Sequence, residues 1–324
     1  MYYTSTFKPA WWLSNCHLQT MAAKWLRRDL TITTIDETLT TPDNDIIDLA
    51  WTELPTSDLV KPIVVILHGL EGSIDSHYAK GMMRRIKAQN WIGVVVHFRG
   101  CGKQDNLKAS SYHSGFTTDI EFVSKRLQAL FPHHPKSIIG FSLGGNVLVQ
   151  LLAQLSNNAP YSSATVICAP LDLASCSQRI NRGFSKIYQK YLVDMLKKNA
   201  LKKVKRGLVT HINERRIRSI RTMWEFDEHV TAPINQYANA HDYYHRASGL
   251  VNINKITIPT LIIHAEDDPF LAHDKITSQP VLNSNIRFEV SKKGGHVGFI
   301  AQKSLFTHDF WLEQRTVSYI EENL

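Results

Sequence analysis

The amino-acid sequence predicts a protein of the α/β class, with a mostly parallel, doubly wound sheet and a helical insertion in its second half. Short, continuous apolar runs recur along the chain, and helix-length amphipathic segments separate them. Continuous apolar strands are typical of a parallel sheet, in which both faces are buried. The runs stop between residues 172 and 250, where lysine and arginine become frequent.

The composition is that of a folded globular protein. The 324 residues are 43% hydrophobic and 20% charged, which excludes a disordered or collagen-like chain. We expect a single domain over residues 1–324, with the insertion at about 172–250. No apolar run approaches the roughly 20 residues that a membrane-spanning helix needs.

The cysteines and the N-terminus indicate a reducing compartment. Cys16, Cys101, Cys168 and Cys176 are too few and too scattered for a disulfide framework, and no CxxC pair suggests zinc. The first residues lack the charged and apolar regions of a signal peptide. We therefore expect a soluble, cytoplasmic protein that needs neither a metal nor a cofactor.

The predicted elements follow in chain order. The segment before the first apolar run is interpreted as strands, including a hairpin of residues 31–39 and 45–54 around a turn at 41–44. Six buried strands are then predicted, at 63–67, 91–98, 137–141, 164–168, 260–263 and 286–290. Helices are predicted at 76–90, 118–130 and 145–155, at 179–203 and 213–226 in the insertion, and at 307–322.

The net charge of +8 lies entirely in the insertion. Residues 172–250 hold 15 lysines and arginines against 7 aspartates and glutamates, and the remaining chain holds 22 of each. Such a segment is either the solvated face of helices or a surface for an anionic partner. No nucleic-acid recognition motif accompanies it, so we expect no nucleic-acid partner.

A G-x-S-x-G motif follows the strand at 137–141 and precedes a helix. Ligands of parallel sheets gather at the carboxyl ends of the strands, where this motif holds a serine on a sharp turn. Ser142 is therefore the candidate nucleophile. The alternative is a structural Gly-Ser turn.

A nucleophilic serine needs a base, and the base needs an acid that orients it. Acids follow the strand at 260–263, and we favour Asp268, with Asp267 as the alternative. His296 lies on a glycine-rich loop after the last strand and is the candidate base. The order serine, aspartate, histidine is the one that accompanies G-x-S-x-G.

An oxyanion hole would complete the site. Its donors are expected to be backbone N–H groups, one after the nucleophile and one on the loop after an early strand, which are those of Leu143 and Leu70. For His68, Arg99 and Cys101 we favour structural roles in their loops.

The chain resembles the YheT-like branch of the α/β-hydrolases, which is related to eukaryotic acylglycerol lipases. The likeness extends beyond G-x-S-x-G and lies in residues 11–20, 68–73, 98–101, 112–115, 140–146, 225–227, 231–233, 242–244, 267–270 and 294–299. The resemblance implies an α/β-hydrolase fold, an esterase or lipase activity on carboxylic esters, and a triad of Ser142, Asp268 and His296. The chain departs from the family pattern at Cys16, where proline is expected.

Together these observations predict a serine hydrolase that cleaves a small-molecule ester or a lipid, such as an acylglycerol, through an acyl-enzyme. A thioesterase or an acyltransferase would use the same residues. A ligand-binding protein without turnover is a further alternative, since one fold serves several functions. The basic insertion, interpreted as a cap, also raises the hypothesis of contact with an anionic membrane surface.

Overall fold

The structure is a computed structural model that describes residues 2–272, 283–304 and 307–324. A sheet of nine strands forms its centre in the described residues. The strands are β1 (Tyr2–Thr4), β2 (Ile35–Thr40), β3 (Ile46–Trp51), β4 (Ile63–Leu67), β5 (Ile92–Val96), β6 (Lys136–Phe141), β7 (Ser163–Ile167), β8 (Thr260–Ala265) and β9 (Ile286–Ser291). Two short strands, β10 (Ile300–Gln302) and β11 (His308–Phe310), form a separate antiparallel pair.

The order of strands across the sheet is β1-β9-β8-β7-β6-β4-β5-β3-β2. Every neighbouring pair from β1 to β5 is parallel, whereas β3 joins both β5 and β2 in antiparallel fashion. The predicted α/β class with a mostly parallel sheet is therefore confirmed, and 31–54 does contain the predicted hairpin. The carboxyl ends of β4, β6 and β8 lie on one edge of the sheet, which places the loops after them together.

Helices cover both faces of the sheet and also build the segment between β7 and β8. They are α1 (Cys16–Leu26), α2 (His77–Ala88), α3 (Thr118–Leu130), α4 (Leu143–Leu155), α5 (Leu173–Ile180), α6 (Ser185–Lys205), α7 (Glu214–Ser219), α8 (Met223–Phe226), α9 (Ala232–Ile234), α10 (Ala240–Ala247) and α11 (Trp311–Glu321).

Strand β4 shows how the alternation of side chains builds two cores. Ile63, Val65 and Leu67 join one cluster with apolar residues of α3 and α4. Val64 and Ile66 point the opposite way and join a second cluster with α2 and α11. Every residue of β4 is buried because each face meets a helical layer, which is why its sequence is apolar throughout.

The segment between β7 and β8 is helical and contains α5 to α10. It has an apolar cluster of its own, formed by Val193, Ala200, Val209, Ile212, Ile217, Ile220, Phe226 and Val230. Of the 21 residues of α6, only five are buried, which leaves most of its lysines at the surface.

The prediction of strands alone before β4 was wrong. Residues Cys16–Leu26 form α1, which begins after Asn15, whose side chain accepts the backbone N–H groups of His17 and Leu18. Cys16 occupies the first helical position, where proline would also fit. Strand β1 adds to the far edge of the sheet beside β9, a pairing between distant segments.

Three predicted helices have other bounds in the structure. The helix predicted at 213–226 is two helices, α7 and α8. The segment predicted as one helix at 179–203 contains the end of α5 and most of α6. Gly183 lies between them with a φ of +53°, a conformation that breaks the helix. The last helix begins at Trp311 rather than at residue 307, since His308–Phe310 pairs with β10. None of the helices in the described residues has the length and apolar character that a membrane-spanning helix requires.

Candidate active site

Ser142 lies on the turn between β6 and α4 in a strained conformation. Its φ is +50° and its ψ is −119°, which a residue with a side chain rarely adopts. The turn is held because the Ser142 N–H donates to the Ile167 carbonyl at 2.8 Å, while the Ser142 carbonyl accepts from Gly145 at 2.9 Å. This backbone raises the hydroxyl above the carboxyl edge of the sheet.

The two glycines of the motif allow helix α4 to approach the sheet. A Cβ on Gly140 would lie 2.5 Å from the Gly144 carbonyl oxygen. A Cβ on Gly144 would lie 2.5 Å from the His68 carbonyl oxygen. Both distances are shorter than any real Cβ contact, so only glycine fits these positions without a shift of backbone.

Three side chains that are distant in the sequence form a hydrogen-bonded relay. The Ser142 hydroxyl lies 2.9 Å from His296 Nε2, and His296 Nδ1 lies 2.8 Å from Asp268 Oδ2. The carboxylate requires a proton on Nδ1, so Nε2 is free to accept from the serine. Asp268 is 2% exposed, and its other oxygen accepts the Phe270 N–H at 2.8 Å, which fixes its orientation.

Asp267, the alternative acid, contacts the backbone of the histidine loop instead of the ring. Its Oδ1 accepts the Gly295 N–H at 2.9 Å. Burial raises the pKa of Asp267, although this hydrogen bond acts against the rise. Asp268 is thus the acid that contacts the imidazole, and Asp267 binds the backbone of the loop that carries it.

The sequence did not predict the residues that surround His296 and its loop. Thr20 of α1 accepts the His296 N–H at 2.9 Å, and a Cβ on Gly295 would lie 2.4 Å from the Cys16 carbonyl oxygen. The Phe270 ring stacks on the imidazole, with centroids 4.1 Å apart. Residue 20 lies within the family-like stretch 11–20, but that stretch contains no pattern that points to the histidine.

The loop after β4 presents one free backbone donor. The N–H groups of Gly69 and Glu71 donate to the hydroxyls of Tyr78 (2.8 Å) and Tyr112 (2.6 Å), and Gly72 donates to the Gly69 carbonyl (3.0 Å). The Leu70 N–H has no hydrogen-bond partner among residues 2–272, 283–304 and 307–324. The loop lies against the nucleophile, since a Cβ on Gly69 would be 3.2 Å from Ser142 Cβ.

His68 fixes the direction of that donor. The Phe98 N–H donates to His68 Nε2 at 3.1 Å, so Nδ1 carries the proton and donates to the Gly69 carbonyl at 2.7 Å. In a trans peptide the N–H points opposite to the carbonyl, so Leu70 N–H is directed away from His68. Burial lowers the pKa of His68 to about 3, which keeps it neutral.

Leu143 supplies the second candidate donor. It is the first residue of α4, and the first N–H groups of a helix have no partner within it. No other part of the described chain accepts its N–H either. Leu70 and Leu143 both line the same cavity as Ser142, and neither N–H group has a partner among the described residues.

Arg99 and Cys101 have structural environments. Arg99 is 4% exposed and makes a bidentate pair with Asp119, with both N–O distances 2.7 Å, and a further pair with Asp43. Burial raises the pKa of the Cys101 thiol, so it stays protonated and weakly reactive.

One group of potential metal ligands exists within the described residues. Atoms of Cys168, Asp268 and His296 lie within 4.8 Å of one another. Burial raises the pKa of the Cys168 thiol well above its usual range, so a thiolate ligand is unfavourable. The other two groups already bind each other, so the donor set does not suit a metal.

A cavity of about 530 Å³ opens beside Ser142. Its lining includes Leu70, Ser142, Leu143 and His296, and the helical segment contributes mainly apolar side chains to it: Ile180, Leu192, Leu196, Met223, Phe226 and Val230. The volume is typical of a site for a small molecule.

The fold is of the α/β class, and the hydrogen-bonded Ser142, His296 and Asp268 lie at the carboxyl edge of its sheet. The family model described as alpha/beta hydrolase fold matches residues 62–302. The chain therefore belongs to the α/β-hydrolase family, and it is an esterase- or lipase-like member.

Its relatives agree with that assignment. YheT of Escherichia coli (strain K12), which is named for an inferred esterase activity, is 42% identical over 318 residues, covering 98% of this chain and 93% of YheT. The monoacylglycerol lipase of Saccharomyces cerevisiae is 29% identical over 76% of this chain and 57% of its own. An esterase of Pyrococcus furiosus shares the fold, with a TM-score of 0.57, 16% identity and coverage of 92% and 94%.

Proposed function

We propose that the protein is a serine hydrolase of carboxylic esters, with Ser142 as nucleophile, His296 as base and Asp268 as the acid that orients the base. The relay of hydrogen bonds at 2.9 and 2.8 Å supports these roles more than any other observation. The esterase and lipase names of its relatives agree with the reaction class.

The proposed reaction has two steps. His296 Nε2 takes the Ser142 proton while Oγ attacks the ester carbonyl, and the resulting oxyanion accepts hydrogen bonds from Leu70 and Leu143 N–H. The imidazolium then protonates the leaving alcohol, which gives an acyl-enzyme. Water then attacks the acyl carbon while His296 takes its proton, and the imidazolium returns that proton to Ser142 Oγ as the acid leaves.

The helical segment at about 172–250 is proposed to act as a cap over this site. Its apolar side chains line the same cavity as Ser142, so they would hold the acyl part of an ester and exclude water. This favours an ester with an aliphatic chain, such as an acylglycerol. A thioester, or an alcohol as acyl acceptor, would fit the same mechanism.

The test compares Ser142→Ala with Ser177→Ala. Ser177 lines the same cavity, but its hydroxyl accepts from Tyr244 and has no base. With p-nitrophenyl esters of increasing chain length, we expect Ser142→Ala to lose roughly 10⁴-fold or more in kcat and all labelling by a fluorophosphonate. Ser177→Ala should keep both. Labelling that persists in Ser142→Ala would contradict the proposed nucleophile, and parallel thioester assays decide the substrate class.

A second proposal concerns a surface at the mouth of the cavity. Helices α1 and α6 lie side by side there, since the rings of His17 and Phe184 are 4.4 Å apart and Lys24 lies over Tyr191. Both helices display exposed apolar side chains, which we call the rim patch: Leu18, Trp25, Phe184, Ile187 and Tyr191. Trp25 is 63% exposed, and both Trp25 and Tyr191 also line the cavity.

The charge around the rim patch favours an anionic lipid surface as its partner. The exposed stripe of α6 that begins with Ile187 and Tyr191 passes Asp194, whose charge is paired with Lys190, and continues with the exposed Lys198 and Lys205. Aromatic and aliphatic residues beside lysines are typical of segments that lie at a membrane interface. We propose that this face docks on anionic lipid, so that an ester enters the cavity directly from it.

Sedimentation with vesicles tests this docking in a Ser142→Ala background, where lipid is not consumed. We expect binding to vesicles that contain phosphatidylglycerol, weaker binding to pure phosphatidylcholine, and loss of binding in Trp25→Ser. The control is Leu59→Ser, an apolar residue of similar exposure that precedes the amino end of β4, away from Ser142. Equal binding of all variants would contradict the proposal, and patch-dependent dimers without vesicle binding would assign the patch to a second copy of the chain.

A further inference from the structure

Glu71, on the loop after β4, is fixed by hydrogen bonds to both its backbone and its side chain. Its φ is +54°, a left-handed conformation that is unusual for glutamate. The Tyr112 hydroxyl accepts the Glu71 N–H at 2.6 Å and donates to Glu71 Oε1 at 2.9 Å. One buried hydroxyl thus fixes both ends of the residue that follows Leu70.

The cap helix α6 completes the environment of this carboxylate. The Asn199 side-chain amide donates to Glu71 Oε2. One turn further along α6, Lys203 donates to the carbonyl of Ser110 at 2.6 Å and to the hydroxyl of Ser111 at 2.9 Å. Lys203 is only 8% exposed, so these bonds replace its contact with water.

These contacts connect α6 to Glu71 by two routes, one direct and one through the segment that contains Tyr112. Asn199 and Lys203 lie on one face of α6, since they are four residues apart. Lys203 holds the segment immediately before Tyr112, Tyr112 holds Glu71, and Asn199 holds Glu71 from the other side. The Tyr112 ring is itself fixed by stacking on Phe98 at 5.0 Å, so the hydroxyl has little freedom.

We infer that Glu71 is a positioning residue, which couples the cap helix to the oxyanion site by fixing the peptide that carries the Leu70 N–H. The His68 imidazole holds the carbonyl side of that peptide, and the Glu71 cluster holds the residue after it. If α6 moves away, Asn199 releases Glu71 and the donor loses its direction. The oxyanion site is therefore complete only while the cap is in place. The inference rests on the proposed function, because it assigns the Leu70 N–H to the oxyanion.

An exchange of the two partners tests the coupling. Asn199→Asp places a second carboxylate against Glu71, and we expect kcat to fall by roughly 10- to 100-fold while KM changes less than about threefold. In the double variant Glu71→Gln with Asn199→Asp, the amide at position 71 donates to the carboxylate at position 199, so the hydrogen bond is restored in the reverse direction. We expect it to recover kcat to within about threefold of the parent.

Two further readouts separate positioning from a general loss of structure. Affinity for a trifluoromethyl ketone, which forms an oxyanion adduct on the serine, should fall with kcat/KM in Asn199→Asp and recover in the double variant, while the melting temperature changes little. Tyr112→Phe should also lower kcat, whereas Tyr161→Phe should not. Tyr161 is a matched control, since it is buried and its hydroxyl contacts Ser124.

The outcomes distinguish this inference from the proposed function. Parental kcat in Asn199→Asp, or a double variant no better than Asn199→Asp alone, would overturn the coupling while Ser142→Ala remains inactive. Full activity of Ser142→Ala would overturn the proposed function itself.

Discussion

At the scale of residues, two adjacent aspartates differ only through their surroundings. Asp268 and Asp267 follow the same strand, and both have acidic side chains that could orient a histidine. In the structure Asp268 contacts the imidazole and Asp267 contacts a backbone N–H of the histidine loop. Neighbouring positions in a turn point in different directions, so sequence spacing alone left both assignments open.

This difference leads to a paired prediction. We expect Asp268→Asn to lower kcat on a p-nitrophenyl ester by about 10⁴-fold, because an amide no longer favours the proton on His296 Nδ1. Asp267→Asn should cost about tenfold or less, since its amide oxygen can still accept the Gly295 N–H. Steady-state kinetics of the two variants check this, and the reverse ranking would assign the orienting role to Asp267.

At the scale of elements, helix α4 is positioned by the absence of side chains at three glycines. Gly140 and Gly144 meet backbone atoms at 2.5 Å from an added Cβ, and a Cβ on Gly145 would lie 2.8 Å from that of Ala169. The same contacts keep Ser142 and the Leu67–His68 backbone at a fixed distance. Packing of a helix on a strand here determines the geometry of the site.

Gly144→Ala is therefore expected to destabilise the protein, although alanine favours a helix over glycine by about 1 kcal/mol. The clash with the His68 and Leu67 carbonyls should outweigh this gain and lower the free energy of unfolding by roughly 1–3 kcal/mol. Activity should fall as well, since the displaced carbonyls precede the Gly69–Leu70 peptide. Urea unfolding and ester hydrolysis measure the two effects.

Gly183→Ala is the control for this substitution. Gly183 has a φ of +53° but no atom within 4 Å of an added Cβ. Alanine there should cost about 1 kcal/mol of stability through backbone strain alone and leave kcat unchanged. A stabilised Gly144→Ala protein would show that α4 is not held by close contact.

At the scale of elements the sequence predicted strands better than helix ends. Residues 63–67 form β4 as predicted, because a run buried on both faces has an unmistakable apolar pattern. Helix α3 also has the predicted bounds. Helix α1 was missed because its sequence has few charged residues and its stability comes from packing against the histidine loop.

At the scale of the whole molecule, burial of histidines couples stability to pH. His113 is 7% exposed, and burial together with the nearby Arg246 lowers its pKa to about 4. In the unfolded chain a histidine titrates near 6.5. Between these values the unfolded state binds more protons, so His113 contributes stability that is complete above pH 6.5 and is lost as the pH falls toward 4.

His113→Asn isolates this contribution, because its amide oxygen can accept the Gly115 N–H that His113 Nδ1 accepts. We expect the stability advantage of the parent over the variant to shrink by on the order of 3 kcal/mol between pH 6.5 and 4. The variant is compared with the parent because other buried groups also make stability depend on pH. Burial raises the pKa of Asp227 to about 6, so its contribution to stability grows as the pH falls, opposite to that of His113. Urea unfolding at several pH values measures it, and parallel curves for the two proteins would contradict it.

The sequence by itself determined the α/β class, the family and the candidates Ser142, Asp268 and His296. Buried strands, glycine spacing and the order of the three residues are local properties that a single chain displays. The excess of 8 positive charges in the insertion was equally visible.

Only the tertiary structure decided which groups meet. Ser142 and His296 are 154 residues apart, and Glu71 and Asn199 are 128 residues apart, yet each pair is hydrogen-bonded. The direction of the free Leu70 N–H depends on how Gly69 and Glu71 are held on either side of it. Their partners are His68, Tyr78 and Tyr112, which lie in the loop after β4, in α2 and in the segment before α3. A sequence states which residues are present, whereas hydrogen bonds depend on directions in space that arise only when distant elements pack together.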